Sequence, residues 1–419
     1  MSFNLIRNAR MFFTSNVDVN TGVVKTTGFT AANTKEIQVL DGLSFSQATG
    51  SETVTINEAG TSPIRGQRSF NTSLDPVELT FSTYIRPFFK EGTTSLTAYD
   101  TDDVIEAEED VLWNAFAAGY VNGSSELIGT TPTASAGTYS GSAAWVQYAG
   151  ATGTEPKSVL SFTNSGKNQM QKFGIIIILD TTSYIIDNCV LDQATIDFGI
   201  DAISTIAWTA RGSILRSIEG AASTASPVVF SGTYFTGTAG TNVAKAKVTS
   251  APFLANKLSV IEITGGIGGG GTAYTLALTG GSITLANNVT YLTPANLGTV
   301  NKPFTYFTGT RAISGSINCY LRVGTNRSAQ LLADMLTGSA TTIEPAFKLK
   351  LSIGGADTAT TTRVVLDLPS CVLTIPTINT EQVVSSTINF TAQGASGSAF
   401  AIDQNNEATI TYYSANTTI

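Results

Sequence analysis

Two stretches of 24 residues are the most informative about the fold: CVLDQATIDFGIDAISTIAWTARG, residues 189–212, and CVLTIPTINTEQVVSSTINFTAQG, residues 371–394. Aligned without gaps, they share Cys-Val-Leu at the start, Ser-Thr-Ile in the middle, and then Thr-Ala and a final Gly. Both contain β-branched and aromatic residues in short runs, which is typical of strands. The chain is therefore expected to contain an internal repeat of β structure.

The repeat extends upstream of these two stretches. In each half a G-x-R sequence precedes a strand that ends in Tyr, an aliphatic residue and Arg, and a segment with helical periodicity follows. A further apolar strand then leads to the Cys stretch. The matching segments are GQRSF from Gly66 and GTRAI from Gly309, residues 84–86 and 320–322, the helical residues 102–119 and 326–338, and FGIIIILD from Phe173 and FKLKLSIG from Phe347.

This order predicts a mainly β fold made of two tandem copies of a β-sandwich or half-barrel domain, each with one short α-helix. The first domain is placed at residues 1–215, with a surface insertion at about 121–157 that is rich in Gly, Ser, Ala and Thr. Residues 216–250 are interpreted as a linker or insertion. The second domain is placed at residues 251–419 and ends in a C-terminal arm.

Composition excludes several functional classes. The 419 residues include 23 Lys and Arg against 31 Asp and Glu, which gives a formal charge of −8, and there is no histidine. An acidic chain is poorly suited to binding nucleic acid through its phosphates. The absence of histidine removes the commonest general base and metal ligand. We predict no enzyme activity, no catalytic residues, no metal and no cofactor.

Two motifs suggest chemistry but favour structural interpretations. GGIGGGG at residues 265–271 lacks the Lys-Ser/Thr ending of a phosphate-binding loop, so it is interpreted as a flexible loop or linker. The acidic run at residues 100–110 resembles a calcium loop only in its first residues, because Ile105 and Leu112 occupy positions where such a loop needs Gly and Glu. It is interpreted as the acidic start of a helix with a solvated face.

The three cysteines, Cys189, Cys319 and Cys371, are too few and too widely spaced for a disulfide framework. They are predicted to be reduced core thiols, with Cys189 and Cys371 at equivalent sites of the repeat. Trp208 and Phe390, which align with each other, are predicted to be packing anchors on inward faces.

The start of the chain, MSFNLIRNARMFF, lacks the apolar run of a signal peptide. No later segment approaches the ~18 uninterrupted apolar residues of a membrane span. The sequence therefore predicts a protein that is made in the cytoplasm and is not inserted in a membrane.

Three stretches resemble the tail tube proteins of long-tailed bacteriophages: NLIRNARMFFTSNVDVNTG from Asn4, RSFNTSLDPVELTFSTYIRPF from Arg68, and EEDVLWNAFAAG from Glu108. The resemblance covers about residues 3–120, and the internal repeat extends it into the second half. It implies tail-tube-like domains and a structural subunit of the virion tail. Such subunits join their β-sheets edge to edge into rings, stack the rings and pass double-stranded DNA through the lumen during genome ejection, without binding it specifically.

The resemblance also implies partners: a tail sheath if the tail contracts, as is expected here, together with baseplate and tail terminator proteins. Family rings contain six single domains. A chain with two copies is therefore expected to form a trimeric ring with pseudo-sixfold symmetry, and a hexamer with the second copy outside the barrel is the alternative. The net negative charge predicts a lumen lined with carboxylates, which would repel DNA.

Three segments are expected at contacts between subunits. The insertion at residues 134–154 carries Tyr139, Trp145 and Tyr148, and is predicted to pack on another subunit. The N-terminal arm, with Arg7, Arg10, Phe12 and Phe13, and the C-terminal residues 409–419 are candidates for contacts between stacked rings.

Two other functional classes share this composition. A secreted β-rich adhesin or surface-layer protein would have the same acidic, Thr-rich and Gly-rich character, but would need a secretion route. A hydrolase on a β scaffold would need paired carboxylates in a cleft, and no spacing singles out such a pair.

Overall fold

The structure, a computed structural model, describes most of the chain. The described residues are 9–18, 20–25, 29, 33–57, 59–62, 65–90, 103–117, 145–151, 154–162, 170–179, 182–217, 253–266, 271–341, 346–358, 361–380, 383–394 and 406–414. Residues 1–8, most of the 121–157 insertion and the 218–250 segment therefore lie outside them.

The fold is mainly β, as predicted. The described residues form two α-helices, α1 (Asp110–Ala117) and α2 (Ser328–Thr341), one short 3-10 helix (Asn256–Leu258), and 25 strands. The strands are β1 (Ala9–Thr14), β2 (Thr34–Ile37), β3 (Ser44–Ser46), β4 (Thr49–Asn57), β5 (Arg65–Leu74), β6 (Val77–Tyr84), β7 (Pro87–Lys90), β8 (Val104–Ala107), β9 (Trp145–Tyr148), β10 (Lys157–Ser161), β11 (Phe173–Leu179), β12 (Thr182–Asp197), β13 (Thr205–Gly212), β14 (Ile214–Ser217), β15 (Val260–Gly265), β16 (Ala273–Thr275), β17 (Ala277–Ala286), β18 (Val289–Leu292), β19 (Thr305–Thr308), β20 (Ala312–Tyr320), β21 (Ala346–Ile353), β22 (Arg363–Leu373), β23 (Thr377–Thr380), β24 (Val384–Ala392) and β25 (Thr409–Tyr413).

In the first half, strand pairing is organised around the long strand β12. Its N-terminal part pairs with β11 and β14, and β11 pairs in turn with β1 and then β2. Its C-terminal part pairs with β13, followed by β6 and β3. A single strand thus contributes to two layers, and a register shift between Leu191 and Gln193 separates its two parts.

The second half has the same series of pairings. β22 pairs with β21 and β25, and β21 pairs with β15 and then β16. The end of β22 and the following strand β23 pair with β24, followed by β20 and β17. Even the irregularity is repeated, because Phe173 lies opposite Cys189 and Phe347 opposite Cys371, each immediately before a register shift.

The two halves are joined in two places. Residues 193–197 of β12 pair antiparallel with residues 282–286 of β17, which connects the two sheets edge to edge. On the other layer, β25 lies between β22 of the second half and β10 of the first-half insertion, and β10 also pairs with β9. The C-terminal strand is therefore an internal strand of a sheet that spans both halves.

One large apolar core extends through both halves. Trp113 of α1 and Trp208 of β13 meet edge to face, with their ring centroids 4.8 Å apart. Cys189, Cys319 and Cys371 are free and buried in this core, as predicted. The burial of Trp208 and Phe390 likewise agrees with the prediction that they are packing anchors.

The pairing of Trp208 and Phe390 differs by two positions when the strands are counted from Tyr84 and Tyr320. Trp208 lies opposite Phe81, three positions before Tyr84, whereas Phe390 lies opposite Gly315, five positions before Tyr320. An added Cβ at Gly315 would lie 2.6 Å from the Phe390 ring. A slip of two residues keeps the same face of the strand buried, so sequence alternation alone does not reveal it.

The helices are in different environments. Every residue of α1 is buried, and α1 contacts β9, β10 and β12. In α2, Leu331 and Met335 are buried while Leu336 is exposed. Strand β9, which lies in the predicted insertion, and the following strand β10 therefore pack against α1. Strand β14, which pairs with β12, ends at Ser217, two residues after the predicted boundary at residue 215.

Candidate assembly site

A continuous row of eight strands crosses the molecule in the order β3, β6, β13, β12, β17, β20, β24, β23. Within the described residues, β3 pairs only with β6 and β23 pairs only with β24. Both ends of the row are thus edge strands. An edge strand presents unpaired N–H and C=O groups and is a template for pairing with another chain.

At the centre of the row, β12 of the first half pairs with β17 of the second half, so two strand edges are joined within one chain. Ile196 of β12 lies opposite Ile283 of β17, and both side chains are buried. On the other face, the hydroxyls of Thr195 and Thr284 are 3.1 Å apart and hydrogen-bonded. The joint thus combines a main-chain ladder, an apolar pair beneath it and a polar pair above it.

At the β23 edge, Thr377 and Ile378 repeat the Thr-Ile sequence of residues 195–196. Among the described strands, none pairs with the outer side of β23. Thr377 lies opposite Thr387 on β24 as Thr195 lies opposite Ala207 on β13, so β23 corresponds to the end of β12. Ile378 is 42% exposed, whereas its counterpart Ile196 is 1% exposed. Other exposed apolar side chains lie around this edge: Val372, Ile375 and Val383. The β23 edge thus exposes several apolar side chains next to unpaired main-chain groups.

One face of the eight-strand row is covered by small polar side chains. Alternate residues along these strands point away from the core and are exposed or half-buried. They are Thr80, Ser82, Gln193, Thr195, Thr205, Thr209, Ser282, Thr284, Ser314, Ser316, Asn318, Ser385, Thr387, Asn389 and Thr391. Neighbours hydrogen-bond across strands, for example Thr387 Oγ1 to Asn318 Oδ1 at 2.8 Å.

Charge is sparse on this face. The charged side chains that these strands direct to it are Glu78, Asp192, Asp197 and Arg211. Asp192 and Arg211 form an ion pair, with Nε and Oδ2 3.1 Å apart. The surface therefore has a small net negative charge and consists mainly of hydroxyl and amide groups.

Two hairpins project beside the row. Among the described strands, β4 and β5 form a ladder only with each other, and most of their residues are exposed. The corresponding hairpin of the second half, β18 with β19, exposes Leu292 and Phe307. The loop between its strands contacts the first hairpin, because Asn301 N donates to Thr72 O and Leu74 N donates to Asn301 O. Isolated two-stranded hairpins are marginally stable in water, so these surfaces are candidates for further contacts.

The acidic run is not a solvated face. Its described acids Asp103, Glu106, Glu108, Glu109 and Asp110 are all buried, which corrects the prediction. Two of them are compensated by cations from other elements: Lys35 forms an ion pair with Asp110, and Arg86 Nη1 lies 3.7 Å from Glu108 Oε2.

Burial changes the proton affinity of this cluster. Desolvation raises the pKa of Glu108 to about 7, against the opposing effects of the Gln38 N–H and Arg86. It raises the pKa of Glu109 to about 8, although Tyr412 Oη donates a 2.7 Å hydrogen bond to Glu109 Oε1. Trp113 Nε1 in turn donates to Tyr412 Oη at 2.7 Å. The C-terminal strand is therefore hydrogen-bonded to the start of α1.

Several residues predicted at subunit contacts lie inside the chain instead. Phe12 and Phe13 are buried in β1, and Arg10 pairs with Glu36, with Nε and Oε1 2.8 Å apart. Trp145 is also buried and meets Tyr412 edge to face. Phe12, Phe13 and Trp145 therefore cannot supply free surfaces between rings, whereas the Arg10 side chain is 37% exposed. Tyr139, Arg7 and residues 415–419 lie outside the described residues.

Of the GGIGGGG motif, residues 267–270 lie outside the described residues. Gly265 ends β15, and Gly271 N donates to Gly265 O. Among the described residues, no group of His, Cys, Asp and Glu side chains is arranged to hold a metal ion. In the same part of the chain, neither helix has the length and apolar character that crossing a membrane requires.

The described residues thus form a β-rich chain with an edge strand at each end of the eight-strand row. A family model described as phage tail tube protein matches residues 61–392. Tail tube protein pb6 of Escherichia phage T5 is 28% identical over 393 residues, which cover 94% of this chain and 73% of the T5 protein. The chain belongs to the phage tail tube protein family and is a structural component of the virion tail.

Proposed function

We propose that three copies of this chain close into one ring of the tail tube, with each chain contributing two tandem copies of a tube domain. The observation that carries this proposal is the internal joint between β12 and β17, together with the unpaired counterparts of both strands at the ends of the same row. The counterpart of β12 is β23, and the counterpart of β17 is β3.

The register of the paired strands predicts which residues would face each other in the joint between two chains. Ser44 lies opposite Thr80 in the first half and Ser282 opposite Ser316 in the second, so β3 corresponds to β17 from Ser282 onward. Because Ile196 faces Ile283 inside the chain, Ile378 would face Phe45 of the next chain. Each half then contacts its neighbours in the same way, whether the neighbour belongs to the same chain or to another.

Two tube domains in each chain would explain why three chains, rather than six, form one ring. The repeated pairing series, the Phe-Cys pairs and the repeated register shift support two copies, which we place at residues 1–217 and 251–419 around a linker. Three chains would supply 24 strands. With strands about 4.8 Å apart and tilted by about 40°, such a barrel has a backbone diameter of about 50 Å, wide enough to admit a DNA duplex.

The hydroxyl-rich face would line the lumen, because the opposite face of the same strands is buried in the core. DNA would then slide along a wall of neutral, hydrated groups with a small excess of carboxylates. This differs from the wall of carboxylates expected from the composition, although the sign of the charge is the same. Such a wall offers no cations to hold phosphates, so it suits passage of DNA without binding.

Rings would stack through the two hairpins, which are exposed at the side of the row. The proposed role of the protein is structural rather than enzymatic. A sheath, if the tail contracts, and baseplate and terminator proteins would contact the outside and the ends of the tube. The alternative of six chains per ring places the second half outside the barrel and leaves the β12–β17 joint without a role in closure.

Electron microscopy of the purified chain tests this proposal. We expect long hollow rods of uniform diameter. Soluble particles that never assemble, at any concentration or ionic strength tried, would contradict it. A variant with a charge on the β23 edge, described below, separates closure of the ring from folding of the chain.

A further inference from the structure

We propose that Lys35 and Asp110 condense with each other into an isopeptide bond that ties strand β2 to the first residue of helix α1. The two residues are 75 positions apart in the sequence, so the bond would close a long covalent loop. The reaction takes place within one chain. It therefore does not depend on how many chains form a ring.

The two side chains meet inside the folded chain. Lys35 Nζ donates a hydrogen bond to Asp110 Oδ1, and the two groups form an ion pair. Lys35 is 8% exposed and Asp110 is 6% exposed. Phe13 lies opposite Lys35 on β1, and Val111, next to Asp110, belongs to the apolar core. An ion pair taken out of water loses hydration that its own attraction only partly replaces, so this site favours a neutral product.

Two other lysine–aspartate pairs provide a comparison within the same chain. Lys348 Nζ lies 2.9 Å from Asp367 Oδ2. Lys350 Nζ lies 2.5 Å from Asp357 Oδ2. The side chains of these two pairs are between 27% and 34% exposed, whereas those of the proposed pair are 10% and 9% exposed. Because water stabilises ammonium and carboxylate ions, we expect the two exposed pairs to remain ion pairs.

The surroundings of Asp110 favour the protonated carboxyl group. Desolvation by burial raises the pKa of Asp110, against the opposing effect of Lys35. The negative charge of Glu106, which is also buried, raises this pKa further. A protonated carboxyl group is the form that an amine can attack, because a carboxylate repels the electron pair of the nucleophile.

The condensation releases one water molecule and needs no oxidant or other reactant. One proton of the Lys35 ammonium passes to the Asp110 carboxylate, which leaves a neutral amine beside a carboxylic acid. The Nζ lone pair then attacks Asp110 Cγ, and an N–C bond forms while negative charge develops on Oδ1. When the C=O bond to Oδ1 forms again, the Cγ–Oδ2 bond breaks. Oδ2 leaves as water with two protons that were on Nζ, and the amide nitrogen keeps the third.

Neighbouring groups are placed to assist this reaction. Val111 N donates to Asp110 Oδ1 at 2.7 Å, so this N–H stabilises the negative charge that develops on that oxygen. Ala107 O lies 3.3 Å from Lys35 Nζ and can accept the single N–H of the product amide. Glu108 would carry the second proton, because its carboxyl group interacts electrostatically with both partners and burial raises its pKa to about 7.

Mass spectrometry of the intact, purified chain tests the bond. We expect a mass that is one water molecule below that of the linear polypeptide. Protease digestion of the same chain should release a branched peptide in which residues 35 and 110 are joined. On a denaturing gel the chain should migrate faster than the K35R variant, because a closed loop makes an unfolded chain more compact.

Three variants separate this pair from the rest of the chain. K35R retains a cation but lacks the nucleophilic amine, so it should have the full mass. K350R, at an exposed pair, should still lose one water molecule. E108Q should lose water on the order of a hundredfold more slowly after synthesis.

An unmodified chain that keeps its full mass would overturn the inference, and so would a loss of water that persists in K35R. Because the branched peptide is sought in the unmodified chain, a folding defect in K35R would not affect that result. Tubes formed by a chain of full mass would overturn the isopeptide bond and leave the proposed function intact.

Discussion

The buried hydrogen bond between Trp208 and Thr83 is a single-residue test of the core. Trp208 Nε1 donates to Thr83 Oγ1 at 3.0 Å, and both side chains are buried. T83V keeps the shape but leaves the indole N–H without its acceptor, so we expect a loss of about 1–3 kcal/mol in the free energy of unfolding. T80V, on the exposed face of the same strand, should cost less than about 0.5 kcal/mol. Urea unfolding of the unassembled chain measures both, and equal effects would contradict this role.

Glu109 predicts a pH dependence of stability. Its pKa is raised to about 8 in the folded chain by burial, above the ordinary value of 4.5. The folded chain therefore holds a proton that the unfolded chain releases between these values, and stability should fall as the pH rises from about 5 to 8.

The variant E109Q has no titratable carboxyl group at this position, but it retains a side-chain oxygen that accepts the Tyr412 hydrogen bond. At pH 8 the variant should be more stable than the unmodified chain, by on the order of 2 kcal/mol, and the difference should shrink toward pH 5. E78Q, at an exposed position, serves as the control. A pH profile that is identical for E109Q and the unmodified chain would show that Glu109 does not titrate in this range.

The sequence predicted the burial of some of these residues but not of others. Buried thiols and inward-facing aromatic residues could be predicted because apolar side chains in a strand pattern are usually internal. Burial of the acidic run could not, since its partners Lys35, Arg86 and Tyr412 come from distant parts of the sequence. The N-terminal phenylalanines were assigned to ring contacts, but Met11, Phe12 and Phe13 form an uninterrupted apolar run in β1, which equally fits a strand buried on both faces.

At the level of elements, repeated sequence predicted the order of strands and helices but not their pairing. The alignment of residues 189–212 with 371–394 indicated equivalent strands. It could not show that β24 is shifted by two residues, that β12 serves two layers, or that the C-terminal strand lies between β10 and β22. Those features depend on long-range packing, which local pattern does not encode. The alternation in SETVTI, residues 51–56, and in GSITLANNVTYL, residues 281–292, indicates strands, but no local signal shows that β4 pairs with β5 or β18 with β19.

The β23 edge provides the test at this scale. I378K places a charge on an edge strand, which is a known means of preventing strand addition. Because Ile378 is exposed, the chain should stay folded with little change in its unfolding midpoint, yet it should remain monomeric in sedimentation. T391K, on the polar face of β24 and away from the edge, should still form tubes. Tubes of normal length from I378K would contradict edge-to-edge closure.

At the level of the whole molecule, the polar face predicts how the tube interacts with DNA. Tubes of the unmodified chain should not retain duplex DNA at moderate salt, because the face carries few cations. S314K combined with T391K should retain DNA, with an affinity that falls steeply as salt increases. A333K combined with T337K, at exposed positions of α2, adds the same charge elsewhere. If that control retains DNA equally well, the polar face does not line the lumen.

We propose that the two halves of one chain take equivalent places around the tube, and symmetry analysis of the assembled tube by cryo-electron microscopy tests this proposal. We expect threefold rings with pseudo-sixfold symmetry, in which β23 pairs with β3 of the next chain as β12 pairs with β17 within the chain. True sixfold density, with the second half displaced radially from the barrel, would contradict it.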